Sequence, residues 1–137
     1  MKSNPEQGAS RATVAAVLRK VLPDAALERI PRHPDRRAVV LALLCADLQR
    51  RYPYSEVELN EVLQDALATF NASVDHVTCR RYLVDLGFVR RNRAGTRYLL
   101  NYPKLEAILS PEALTASHEL LEEALNLQRN VSRSSQR

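Results

Sequence analysis

The stretch VDHVTCRRYLVDLGFVRRNRAGTRYLL, residues 74–100, constrains the fold more than any other. Asp75 is a helix N-cap residue, and Cys79, Leu83 and Leu86 recur on one side of the helix that follows, with Tyr82 beside them. Gly87 comes directly after Leu86, where a helix commonly ends in the left-handed region that glycine accepts without strain. Two short runs with strand character then follow, Phe88–Arg91 and Thr96–Leu100, around the turn Asn92-Arg93-Ala94-Gly95. The spacing predicts a helix, a glycine stop and a β-hairpin. His76, Arg80, Arg81 and Asp85 are expected mainly on the face opposite the apolar one.

The helix before this unit has the clearest start signal. Ser55 and Glu58 have the spacing of a capping box, and Tyr54 and Leu59 that of a hydrophobic staple. Leu59, Val62, Leu63, Ala66, Leu67 and Phe70 make one inward stripe, so a helix is expected over Ser55–Phe70, followed by the turn Asn71–Val74. Further upstream, Asp35–Arg50 reads as a helix apolar on every face in its middle, the central helix of the core.

Flanking elements complete the plan. A helix is expected from Ser10 to Leu22, stopped by Pro23, then a helical turn over Asp24–Ile30. RIPRHPDRR, residues 29–37, is a basic linker stiffened by Pro31 and Pro34. After a break at Asn101-Tyr102-Pro103, Lys104–Leu109 reads as a short turn and Pro111–Gln128 as a last helix capped by Ser110. The polar ends, Met1–Ser10 and Asn130–Arg137, have little to bury and are expected to be disordered. The order helix, helix, helix, hairpin predicts a mainly α fold with a small β-hairpin, a winged helix-turn-helix with flanking N- and C-terminal helices. The corresponding division is a tail and flanking helix over 1–28, a winged-helix-like domain over 29–102, a helical extension over 103–128 and a disordered tail over 129–137.

Tyr54-Ser55-Glu56, Glu58-Leu59-Asn60, Leu63, Asp75, Arg80-Arg81-Tyr82-Leu83-Val84-Asp85, Gly87 and Arg91 carry a family resemblance. Over about Arg29–Leu100 the chain resembles a bacterial domain of unknown function, found alone or fused to helix-turn-helix transcriptional regulators, some similar to the arsenic-repressor type. The resemblance implies a winged-helix-like fold and an association with transcription. Two positions depart from the family pattern. Cys79 stands where leucine is usual, in keeping with a place in the core, and Tyr98-Leu99 replaces an aromatic pair.

Charge is where function enters. The net charge is +4, and between Asp75 and Tyr98 six arginines face two aspartates. A local positive excess is the footprint expected for a polyanion. His76, Thr78, Arg80, Arg81, Arg90, Arg91, Arg93 and Arg97 are therefore the candidate nucleic-acid contacts, with double-stranded DNA as the partner. A second reading of the arginine pair stands beside it. Arg81 has the spacing to pair with Asp85, and Glu56 or Glu58 can neutralise Arg80 or Arg81, which makes the pair a clamp between helices. At the level of the whole protein, the alternative to a DNA-binding regulator is a protein–protein interaction module that keeps the winged fold.

Enzyme chemistry is not expected. The chain has three glycines, no glycine-rich phosphate loop and no Ser/His/Asp set. His33, His76 and His118 share no metal spacing with one another or with Cys45 and Cys79, so neither metal nor cofactor is expected. The longest apolar run, Ala38–Ala46, is far below the roughly 20 residues that span a bilayer. No signal-like segment precedes the first helix, which with two isolated cysteines gives the expectation of a cytoplasmic protein. The apolar faces of helices 10–22 and 111–128 are broad enough to suggest a homodimer; packing within one chain is the alternative.

Overall fold

The computed structural model describes the backbone of residues 8–135 and the side chains of residues 8–130. Within it the chain is mainly helical, with one two-stranded antiparallel sheet. The helices are α1 (Arg11–Val21), α2 (Pro34–Leu44), α3 (Glu56–Thr69), α4 (His76–Asp85), α5 (Tyr102–Ile108), α6 (Pro111–Thr115) and α7 (Ser117–Ser135). The strands are β1 (Val89–Arg91) and β2 (Tyr98–Leu100), paired Val89 to Leu100, Arg90 to Leu99 and Arg91 to Tyr98.

Local signals place α3 and α4 as the sequence predicts. The capping box closes in both directions: Glu58 N–H donates to Ser55 Oγ at 3.1 Å and Ser55 N–H donates to Glu58 Oε1 at 2.8 Å. Asp75 caps α4 by accepting from Thr78 N–H at 2.8 Å. Gly87 adopts φ 83°, and the turn closes with Phe88 N–H on Leu83 O at 2.8 Å and Gly87 N–H on Val84 O at 3.2 Å. Asn71 plays the same part after α3, with φ 52° and a bond from Ala72 N–H to Leu67 O at 2.9 Å.

Several boundaries differ from expectation, each for a visible reason. The helix expected to reach Arg50 ends at Leu44. A tight turn over 45–48 brings Leu48 back into the core, and the Tyr54 hydroxyl accepts the Gln49 N–H at 2.8 Å. The expected helical turn over Asp24–Ile30 contracts to a 3-10 turn, Pro23–Ala25, in which Asp24 and Ala25 are left-handed. Residues 25–27 bond instead to the α3–α4 turn: Leu27 N–H donates to Phe70 O at 3.3 Å, Ser73 N–H to Leu27 O at 2.9 Å, and Asn71 Nδ2 to Ala25 O at 3.2 Å. The C-terminal helix is broken at Ala116 into α6 and α7.

The chain ends also differ. Residues 1–7 and 136–137, part of the tails expected to be disordered, lie outside the described residues. Ala9 pairs with Leu109, its N–H donating to Ile108 O at 2.8 Å. Past Gln128 the α7 backbone stays helical to Ser135, since no glycine or proline stops it.

One apolar cluster runs from Val14 on α1 to Leu125 on α7 and includes Cys45 and Cys79. Val14, Leu18 and Leu22 are fully buried, and Leu120, Leu121, Ala124 and Leu125 nearly so, with α7 packed on α1. Most of the apolar residues on both flanking helices are thus covered within a single chain, with Leu127 left open at 51% exposure. Among the described residues no helix is long and apolar enough to cross a membrane.

Candidate nucleic-acid interface

Cys79 and Leu83 are fully buried and fix the rotation of α4 about its axis. That rotation splits the predicted contact residues. Thr78 and Arg81 stand on the exposed face, together with Val77, which is 42% exposed, and Asp85. His76 and Arg80 fall at the edge against α3 and are half-buried. On α3, Glu56, Asn60 and Gln64 are spaced four apart and share a face. Gln64 Nε2 lies 3.2 Å from His76 Nδ1, Arg80 Nη1 donates to Asn60 Oδ1 at 2.5 Å, and Arg80 Nη2 stands 4.0 Å from Glu56.

Glu58 takes no part in this contact. Its carboxylate accepts from Ser55 N–H and from the Tyr52 hydroxyl, the latter at 2.7 Å. These bonds, the one from the Ser55 backbone foremost, hold its carboxyl below the usual value. The Asp75 carboxyl is lowered in the same way, first by the Thr78 N–H, with Arg81 a smaller contributor. Arg81 forms no ion pair with Asp85 among the described residues.

The hairpin turn is built by one side chain. Asn92 Oδ1 accepts from Thr96 N–H at 2.8 Å and from Arg97 N–H at 3.0 Å, and Gly95 takes φ 73° to close the turn. The pleat then divides the arginines. Arg90 shares one face with Leu99, which is 40% exposed, while Arg91 lies opposite Tyr98 on the other. Arg90, Arg91, Arg93 and Arg97 are all exposed. Among the described residues none of them has a carboxylate within 4.0 Å.

A groove of about 310 Å³ runs between α4 and the hairpin. Arg80, Arg81 and Arg91 line it with Asp85, over a surface supplied by Val77, Val84 and Tyr98. Thr78, His76, Arg90, Arg93 and Arg97 are outside it. Tyr98 is held there by a second pairing, since its N–H and C=O exchange 2.8 Å bonds with Tyr54. Tyr54, ahead of α3, thereby adds a one-residue third strand beside β2.

Sequence reasoning placed Asn92 in the turn but missed the side-chain bonds by which it closes it, and it missed Asn60 and Gln64 as partners and the Tyr54 pairing. The four-residue spacing of Glu56, Asn60 and Gln64 was the available signal for Asn60 and Gln64. Both thiols are buried and free, and burial pushes them up, Cys79 to about 12. Among the described residues no three His, Cys, Asp or Glu side chains converge as metal ligands.

The model of a family described as an uncharacterized protein conserved in bacteria (DUF2087) matches residues 26–100, which contain α2, α3, α4 and the hairpin. No curated protein and no solved structure matches the chain.

Proposed function

The chain belongs to this uncharacterized bacterial family, and on that premise we propose that it is a non-enzymatic winged-helix protein of the cytoplasm that binds double-stranded DNA and regulates transcription. The supporting layout is α2, the Tyr54 pairing, α3, α4, β1 and β2, with Tyr54 bonded to β2. Three helices followed by a two-stranded hairpin, with the single Tyr54 bridge beside β2, are the parts a winged helix-turn-helix requires.

One observation carries the reading. Arg81 on α4 and Arg90, Arg91, Arg93 and Arg97 on the hairpin are exposed, with no carboxylate within 4.0 Å among the described residues. Five exposed cations on two adjacent elements, none in contact with a carboxylate among the described residues, suit a phosphate backbone. In this reading Thr78 and Arg81 meet base edges, and the hairpin arginines meet phosphate. Arg80, with His76, positions α4 from behind. Fluorescence anisotropy with labelled duplexes tests this: binding should weaken steeply with salt, and no binding to any duplex at low salt would remove the reading.

The second reading is a protein–protein interaction module. Val57 at 67%, Val77 at 42% and Leu99 at 40% exposure favour it, because apolar side chains this open suit a protein partner. The same titration separates the two. A homodimer through helices 10–22 and 111–128 would have to use their outer surfaces, such as Leu127 at 51% exposure. Sedimentation at micromolar concentration distinguishes it from a monomer of 15.5 kDa.

A further inference from the structure

The basic linker has no part in the proposed duplex contact, yet it is not simply a solvated run. Between the end of α1 and the start of α2 it walls a groove of about 350 Å³, within the roughly 300–1,000 Å³ of small-molecule sites. Lys20, Arg29, Arg32 and Arg36 line it, against one carboxylate, Glu28. We propose that this groove binds a small organic phosphate carrying at least two negative charges, of the size of a nucleotide.

Three observations support this choice over a diffuse charged surface. The site is concave, and four cations around one groove converge on a compact polyanion better than on an extended strand. Pro23 and Pro31 line it, and each ring fixes φ at its own position, which limits the freedom of the walls. One wall is also anchored: the carbonyls and amide of residues 25–27 bond to Asn71, Phe70 and Ser73, so Glu28 and Arg29 leave from a fixed point. His33 lines the groove as well, with its Nδ1 accepting from Asp35 N–H at 3.2 Å. An arginine fork suits phosphate oxygens by geometry as well as charge, and three of the four cations are arginines.

Titration calorimetry on the full chain tests the site with pyrophosphate and ADP as probes and acetate as the singly charged control. Pyrophosphate and ADP should bind and acetate should not. Arg29→Ala with Arg32→Ala should weaken both probes by about tenfold or more, while Arg29→Lys with Arg32→Lys should weaken them less, keeping the charge and losing the fork. Both positions are exposed, and an unchanged thermal midpoint verifies that the variants fold. Arg81→Ala with Arg93→Ala should leave the probes' affinity unchanged, which separates this site from the proposed duplex surface.

Absence of heat with both probes at millimolar concentration overturns the proposal. So does equal weakening by the Arg81/Arg93 pair, which would mean general attraction to a basic protein. Displacement of bound ADP by duplex DNA in the Arg81→Ala, Arg93→Ala variant would assign the groove to a nucleic-acid backbone and overturn it as well.

Discussion

Arg80 and Asn60 join α4 to α3: Arg80 Nη1 donates to Asn60 Oδ1 at 2.5 Å, while Nη2 faces Glu56 at 4.0 Å. The Arg80 side chain is 19% exposed, so this guanidinium is largely spent within the fold. Arg81, one residue on, is open to solvent. Two adjacent arginines thus have different work, decided by one helical step of about 100°.

Arg80→Ala should therefore act on stability. Losing a partly buried, charge-assisted hydrogen bond costs about 1–2 kcal/mol, the exposed Glu56 adding little. Urea unfolding checks this. Weaker duplex affinity with an unchanged urea midpoint would place Arg80 at the interface instead.

Arg90→Ala and Arg93→Ala should do the reverse. Each removes an exposed cation and should leave the thermal midpoint in place. Each should also lower the slope of log affinity against log salt by about 1, the effect of leaving one phosphate without its cation. Anisotropy titrations over a salt series read the slope directly, and an unaltered slope in both variants counts against a hairpin wing on DNA.

Acid should destabilise the protein through two caps. Glu58 and Asp75 have folded pKa values below their ordinary 4.5 and 3.8, because backbone N–H groups bond their ionised forms. A depressed folded value means the stabilisation is complete above the ordinary value and is lost as pH falls through the folded one. Thermal midpoints should decline below about pH 4.5. Glu58→Gln and Asp75→Asn should flatten that decline, and an identical acid limb in both variants would show that other groups carry it.

Gly87→Ala tests the stop after α4. The position has φ 83° and nothing within 4 Å of an added Cβ, so the cost is purely conformational, about 1–2 kcal/mol. A neutral effect on the urea midpoint would contradict that account.

The local sequence was sufficient for α3, α4 and the hairpin. Ser55, Glu58, Asp75 and Gly87 act over one helical turn, and such short-range bonds need no knowledge of the rest of the chain. The fate of the arginine pair was not legible, because it depends on which α3 side chains stand opposite once Cys79 and Leu83 have turned α4 into the core. The same holds for α2, which gives way after Leu44 to a turn that buries Leu48 and leaves the Gln49 N–H on the Tyr54 hydroxyl, an arrangement that periodicity does not encode.

What the amino-acid sequence determined by itself is the element order, the caps and the concentration of arginine between residues 75 and 98, since these rest on neighbours in the chain. Tertiary structure alone decided that Arg80 is tied while Arg81 stays open to solvent, that Tyr54 bonds to the hairpin, and that basic residues from α1, the linker and α2 line one open groove. Those outcomes depend on packing between residues far apart in sequence, where a rotation of one helix or one paired residue changes which charges meet solvent.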